Sequence, residues 1–313
     1  MKRRTDVAIC KKPKRRGDAR SLWLFIMLLP ALAFAFVFSY LPISGIIIAF
    51  KDFSPFLGMA KSPWVGFRFF KEFLTDQQFW MVFKNTMIIN LYDIVFGFVA
   101  PILFALLVNE VMQKRFKKTI QTISYLPHFL SWVVVAGLYY KMLSPDETGI
   151  VNLILMQLFG IEPIYFMSLQ HLFIPVVIFS EIWKSVGWSA ILYFATLSGI
   201  DTSLYEAAYI DGAGRLKQTF HITIPGLLPI IVLMFLLKIS NLFSVGFDRM
   251  FNMQNPIMLS VSEVISTYVY RMGLLNSQYS LTTAIGLTQS IMGFVLLVTA
   301  NSISKRISNM GLY

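Results

Sequence analysis

Residues 21–50 run for thirty positions without an Asp, Glu, Lys or Arg. A hydrocarbon core about 30 Å thick is crossed by about 20 helical residues. Five further apolar runs recur at 81–108, 119–140, 171–198, 227–247 and 281–302. The chain therefore reads as an all-α polytopic membrane protein with six transmembrane helices. A seventh apolar piece, 150–159, is too short to span and reads as interfacial or re-entrant. Composition agrees. Of 313 residues, 56% are hydrophobic and 14% charged, against about 25% charged in an average soluble domain. Mean hydropathy is +0.66. A disordered chain would be polar and poor in aromatics, and a disulfide scaffold needs more than the single Cys10.

The net charge of +11 fits either a nucleic-acid binder or a membrane protein with basic cytoplasmic loops. Its distribution separates the two. With the N-terminus inside, residues 1–20, 109–118, 200–226 and 303–313 carry 17 of the 27 Lys and Arg, and the opposite loops carry seven. That asymmetry places both termini in the cytoplasm and calls for no nucleic acid. Residues 1–20 then form a basic cytoplasmic tail, and 303–313 a second tail. Residues 51–80 form an extracytoplasmic loop with an amphipathic approach at 67–80, and 81–302 a five-helix core. The stretch Ala31-Leu32-Ala33 resembles a signal-peptidase site, but the apolar run continues to Phe50, too long for a signal core.

Catalytic patterns are missing. There is no H-E-x-x-H, C-x-x-C, G-x-S-x-G or G-x-x-x-x-G-K-[ST], so the chain carries no Walker-type ATP site. His128, His171 and His221 lie far apart and read as structural or interfacial rather than as metal ligands.

Asp93, Glu181, Lys184 and Lys238 fall inside the expected spans. Charges there are costly and generally pair or face a wet interior. Glu181 and Lys184, three apart, can pair on one helix face that Trp188 continues. Asp93 can pair with Lys238 across spans two and five. One reading is a polar translocation path; the other is structural ion pairs orienting the bundle. Asn85, Asn90, Asn241 and Gln289 add interhelical hydrogen-bonding capacity. Tyr139, Tyr140, Trp183, Trp188 and Tyr193 suit either sugar stacking or interfacial belts.

The loop 201–226 is the most informative segment. Ser203-Leu204-Tyr205-Glu206 fits a capping box, Ala207 and Ala208 favour helix, and Gly212-Ala213-Gly214 breaks it. A second helical piece follows over 215–221, which Pro225 ends as it opens the next span. The product is a helix–glycine–helix elbow whose face of Leu204, Ala207, Ala208 and Ile210 suits a partner groove.

This loop resembles the EAA motif of binding-protein-dependent ABC importer permeases: Glu206-Ala207-Ala208, three residues, Gly212, nine residues, then Ile222-Thr223-Ile224-Pro225. Ile224 replaces the usual Leu and keeps the site apolar. Trp64-Val65-Gly66-Phe67, the segment 101–110 and Tyr125-Leu126-Pro127-His128-Phe129-Leu130-Ser131-Trp132 resemble the MalF/LplB-like carbohydrate permeases. The resemblance covers about residues 20–313; the basic tail is unmatched. It implies a type I ABC importer transmembrane fold in the bacterial cytoplasmic membrane. The implied partners are a second homologous permease, two ATP-binding cassette subunits, an extracytoplasmic solute-binding protein and a carbohydrate substrate. The chain itself would hold no cofactor; ATP and magnesium would sit on the partner ATPase. Coupling roles carry over to Glu206, Ala207, Ala208, Gly212, Ile222 and Pro225. The two alanines would permit close approach, Gly212 would supply the turn, and Glu206 would either contact the ATPase or only cap its helix. The candidate substrate path is Asp93, Glu181, Lys184, Trp188, Tyr193, Lys238 and Asn241. The alternative is an ion-gradient-driven secondary transporter using Asp93, Glu181 and Lys238. A membrane-embedded enzyme is a third class, without a catalytic dyad to support it.

Overall fold

A computed structural model describes residues 18–146 and 148–308. Most of the basic tail, and the last residues of the 303–313 tail, lie outside the described residues. Among those described the architecture is helical, with one isolated antiparallel bridge between Lys51 and Trp64.

The elements follow in chain order. A long apolar helix, α1, covers Trp23–Phe50. A surface helix, α2, covers Arg68–Thr75 and turns Phe69 and Phe73 into the core. Next come α3 (Gln77–Asn109), α4 (Lys114–Phe129) and α5 (Trp132–Met142). The short apolar piece is α6 (Ile150–Phe159), closed by Gly160 in the left-handed region. Then come α7 (Gln170–Ser198), α8 (Thr202–Ile210) and α9 (Arg215–Ser240). After two short pieces, α10 (Phe247–Met253) and α11 (Ile265–Tyr270), the last described helix is α12 (Tyr279–Ser308).

Among the described residues five helices, α1, α3, α7, α9 and α12, are long and apolar enough to cross a membrane. A sixth crossing requires α4 and α5 to act as one, although they meet at a bend of 100°. The expected single span over 119–140 is thus two helices. Pro127 opens a 3₁₀ turn at Leu126–Phe129, and Ser131 starts a new helix by accepting the Val134 amide. The amphipathic approach also stops earlier than 80. Asp76 caps α3 through the Gln78 amide, so Trp80 already belongs to the long helix.

The fifth apolar run differs most. Its helix ends at Ser240, not near 247. The Asn241 carboxamide donates back to the Leu237 carbonyl, while the next carbonyls go to other helices. Asn90 donates to Leu242 and Gln289 to Phe243. Non-helical backbone is tolerated at membrane depth when protein groups satisfy it. Asn85 does the same for Ser260 and Glu263.

Four long helices contain a proline, and in three of them one proline follows a π-helical turn. Pro42, Pro101 and Pro225 each follow a π-helical turn, at Phe36–Tyr40, Asp93–Phe98 and Thr219–Thr223. A proline removes the hydrogen bond to the carbonyl four residues back and collides with it. In each case that residue, Phe38, Gly97 or His221, lies inside the widened turn, which relieves the clash. Pro225 therefore does not end the helical piece at 221; α9 is continuous from Arg215.

Helices α4 and α7 approach closely at Gly187, where a Cβ would collide with the Ser124 backbone carbonyl. Replacing Gly187 by Ala is expected to destabilise the protein by about 1–3 kcal/mol through overpacking. At Gly137 an added methyl would meet only open space, so Ala should be accepted there without loss. Thermal unfolding of the detergent-solubilised protein checks both.

Candidate functional site

Two features stand out, an exposed elbow and an internal cavity. Helix α8 is capped by Asp201, whose carboxylate accepts the Ser203 amide at 2.9 Å. The expected capping box is therefore displaced by two residues: Ser203 is not the cap, and Glu206 is exposed rather than folded back on it. Asp201 wins because its carboxylate reaches the free amides at the helix start, which favours negative charge. The Ser203 hydroxyl and amide hold the Asp201 carboxyl below its ordinary range. The cap is thus fully present above the ordinary carboxylate pKa and is lost as the pH falls.

The helix closes in a Schellman arrangement. The Gly212 amide donates to Tyr209 and the Ala213 amide to Ala208, at 3.0 and 2.8 Å. The motif requires a left-handed residue, and Gly212 has φ +76°. The carboxamide of Gln218 closes the loop onto the Ala213 carbonyl at 3.0 Å. The hydroxyls of Tyr205 and Thr223 meet at 2.9 Å, joining α8 to α9. Arg215 reaches Glu110, at the end of α3, at 3.6 Å.

Within this frame Leu204, Ala207, Tyr209, Ile210 and Leu216 are exposed, Ile210 at 83%. Ala208 and Ile222 are half-buried and Pro225 is exposed. No described residue covers this apolar face.

The cavity, about 740 Å³, lies between α3, α7 and α9. Each helix contributes one face at helical spacing: Asp93, Gly97 and Pro101 from α3; Glu181, Ser185, Trp188 and Leu192 from α7; Met234, Lys238 and Asn241 from α9 and its end. Six of the seven candidate path residues line it, namely Asp93, Glu181, Trp188, Tyr193, Lys238 and Asn241. Tyr193 is a buried wall residue, while Trp188 is 45% exposed. Tyr139, Tyr140 and Trp183 do not line it. Tyr140 instead donates to the Met253 carbonyl.

The charge pairing differs from both expected pairs. Asp93 does not pair with Lys238, nor Glu181 with Lys184. Arg249, from α10, takes both carboxylates. Its two terminal nitrogens meet the Asp93 oxygens at 3.1 and 2.7 Å, and one of them meets Glu181 at 3.3 Å. Arg249 and Asp93 are each only 3% exposed. The other Glu181 oxygen accepts the Ser185 hydroxyl at 2.8 Å. Hydropathy alone assigns Arg249 to an outer loop; α10 carries it back into the bundle. The sequence signal is an arginine set among Phe247, Met250, Phe251 and Met253.

Lys184 points behind the cavity. Its ammonium donates to the His128 carbonyl at 2.6 Å and lies 5.7 Å from the Trp132 ring centre. The His128 ring stacks on Trp188, with centres 4.5 Å apart and planes within 1°. One face of Trp188 is therefore occupied from behind. Sequence reasoning missed His128 as a support; its only signal was its place in the Pro127 turn. Among the described residues no group of three or more His, Cys, Asp or Glu is placed to hold a metal ion.

Substituting Arg249 by Met would leave Asp93 buried and unpaired. The expected cost is about 3–5 kcal/mol. Combining it with Asp93→Asn should recover part of that loss. Thermal unfolding of the single and the double variant tests the pairing.

Known proteins share this fold. Residues 94–309 match the family described as binding-protein-dependent transport system inner membrane component. The protein LplB of Bacillus subtilis is 41% identical over 294 residues, covering 94% of this chain and 92% of that one. The polygalacturonan/rhamnogalacturonan transport system permease protein YteP of the same species is 39% identical, covering 98% and 97%. Among solved structures, a bacterial ABC transporter involved in import of the acidic polysaccharide alginate superposes with a TM-score of 0.85 at 38% identity. That match covers 92% of this chain and 97% of the other. The alginate transporter in complex with an alginate-pentasaccharide-bound periplasmic protein gives the same score at 37% identity, covering 94% and 97%. The chain belongs to the binding-protein-dependent ABC transport permeases, multi-pass membrane components of a transporter and not enzymes.

Proposed function

We propose that the chain is the pore-forming permease of an ATP-driven importer of an oligo- or polysaccharide in a bacterial cytoplasmic membrane. One observation carries this reading. The elbow is the direct connection between α7 and α9, the two helices whose inward faces build most of the cavity. The sugar-transport relatives support a carbohydrate cargo.

In this reading the chain crosses the membrane six times, α4 and α5 acting together, with both ends in the cytoplasm. The exposed face of α8 docks in a groove on one of two ATPase subunits, which carry the ATP and magnesium. A second permease closes the open side of the cavity, and a solute-binding protein delivers the sugar from outside. Ala207 and Ala208 keep the docking face low, and Gly212 sets the angle between α8 and α9. Glu206, exposed and not folded back as a cap, is free to contact the ATPase. The path residues Asp93, Glu181, Trp188, Tyr193, Lys238 and Asn241 face the sugar; Lys184 supports them from behind.

The test is uptake by cells in which this chain is replaced by its variants. Gly212→Arg forces a side chain into the left-handed region at a cost of about 1–3 kcal/mol and adds bulk beside the docking face. Sugar uptake should be lost while the protein remains in the membrane. Wild-type uptake should stop on ATP depletion and survive an ionophore. Uptake that stops with the ionophore and ignores ATP would instead identify a gradient-driven transporter.

A further inference from the structure

Helix α9 stops at Ser240, and residues 241–246 are not helical. Such backbone is tolerated at membrane depth where it is buried in protein or lines a wet cavity. This stretch runs along more than one hollow. Asn241 lines the cavity between α3, α7 and α9 and also a second hollow, of about 470 Å³, against α12. Gln289 on α12 lines that second hollow and a third, also about 470 Å³, set among α10, α11 and α12. Ser244 belongs to the second and Phe247 to the third. The order along the bundle follows from two contacts. Gly293 packs on the Ser240 carbonyl, and Gln289 donates to the Phe243 carbonyl. Helix α12 is therefore antiparallel to α9, and its first residue, Tyr279, lies farther from the elbow than either contact.

The third hollow is lined by the rings of Phe247, Tyr270 and Tyr279 together with Ser266, Thr282 and Gln289. No charged residue lines it or the second hollow. Its rings are backed by residues outside the lining. Phe251 stacks on Phe247 with centres 5.0 Å apart and meets Tyr270 at 5.3 Å. Phe53 meets Tyr279 edge-on at 5.9 Å. Tyr270 and Tyr279 are half-buried, and among the described residues neither hydroxyl has a hydrogen-bond partner. The Ser266 and Thr282 hydroxyls and the Gln289 carboxamide donate to backbone carbonyls, which leaves an oxygen of each free to accept.

That chemistry selects among occupants. A lipid phosphate would find no cation here. An acyl chain would leave the two tyrosine hydroxyls unmatched, at a cost. A sugar ring satisfies both halves of the lining, its hydroxyls meeting the polar groups and its C–H face a supported aromatic ring. The volume lies within the roughly 300–1,000 Å³ of ligand pockets.

Resting on the carbohydrate reading above, we propose that the hollow among α10, α11 and α12 is a second sugar subsite, separate from the central cavity. Tyr270 and Tyr279 bind a ring of the cargo there, at the outer end of the path. A short cargo is held at one site at a time. A longer one is held at the outer subsite while its leading ring occupies the cavity.

The probes are labelled dimers and hexamers of galacturonate, mannuronate and glucose. Uptake is measured in cells lacking their own copy of this chain and complemented with wild type or the double variant Tyr270→Phe, Tyr279→Phe, which keeps both rings. Membrane levels are checked alongside. For an imported sugar the double variant should raise the hexamer KM by about three- to tenfold, as expected for losing neutral hydrogen bonds. Its maximal rate and the dimer KM should stay close to wild type. A second readout uses Leu274, which lines the hollow and is 64% exposed. Leu274→Cys is introduced with the single native cysteine, Cys10, changed to Ser. In the complete transporter the imported hexamer should slow its reaction with a membrane-impermeant maleimide, and the dimer should not. Where only the hexamer enters, the cysteine decides.

Three results overturn the proposal while leaving sugar import intact. One is a KM that does not move in the double variant, or moves equally for dimer and hexamer. Another is a cysteine that reacts at the same rate with and without hexamer. The third is a cysteine already blocked without sugar, which would make the hollow a contact of the second permease. If no oligomer enters in an ATP-dependent manner, the carbohydrate reading falls and the proposal with it.

Discussion

The guanidinium of Arg249 is the joint on which the buried part of this chain is assembled. It arises on α10, after the long helix α9 has ended, and meets Asp93 on α3 and Glu181 on α7. Three elements remote in sequence are fixed relative to one another by one side chain. Burying such a cluster adds little net stability, because desolvation offsets the attraction. Its effect is on arrangement. Any packing that separates the three groups leaves a naked charge in an apolar interior, so competing packings are penalised far more than the native one is favoured. The π-turn at Asp93–Phe98, which accommodates Pro101, places Asp93 where the fork can reach it.

The same logic extends to uncharged groups. The stretch between α9 and α12 contains only short helices, and its free carbonyls need partners. Asn85, Asn90, Gln289 and Tyr140 provide them from the surrounding helices. Thr86 accepts the Ile265 amide, at the start of α11. Irregular backbone can lie against the bundle because each of these side chains replaces a water. The asparagines that read as generic interhelical glue have a defined task, the termination of helices at chosen residues.

Much of this was legible in the sequence. Apolar runs located α1, α3 and α7 to within a few residues, and 150–159 coincides with α6. The elbow was visible because glycine and capping residues act locally. What failed was anything depending on the chain turning back. A hydropathy window follows the chain in one dimension, so it extended the fifth span to 247 and left Arg249 outside. The bend between α4 and α5 was hidden because 119–140 carries no charge to mark it. The misassigned Lys184 follows from helical arithmetic. At about 100° per residue, 181, 185, 188 and 192 form one stripe, and 184 lies about 60° to its side. That rotation directs Lys184 to the His128 carbonyl while Glu181 and Trp188 face the cavity.

The elbow and the cavity are joined by covalent structure more than by contacts. The Arg215–Glu110 pair is well exposed, and exposed pairs contribute about 0–1 kcal/mol. It cannot transmit much force. The continuous helices α7 and α9 can, since both enter the elbow and both wall the cavity. At Gly187 the first is pressed against the Ser124 backbone, so α4 must move with it. The third wall is held differently. Asp93 on α3 answers to Arg249, and hence to α10. In the proposed cycle a push on α8 therefore acts directly on two walls, while the third follows through its packing at Ala105 against Ala190 and Leu197 and through the ion cluster. Unequal attachment of this kind lets a displacement at the elbow change the shape of the cavity instead of merely shifting it.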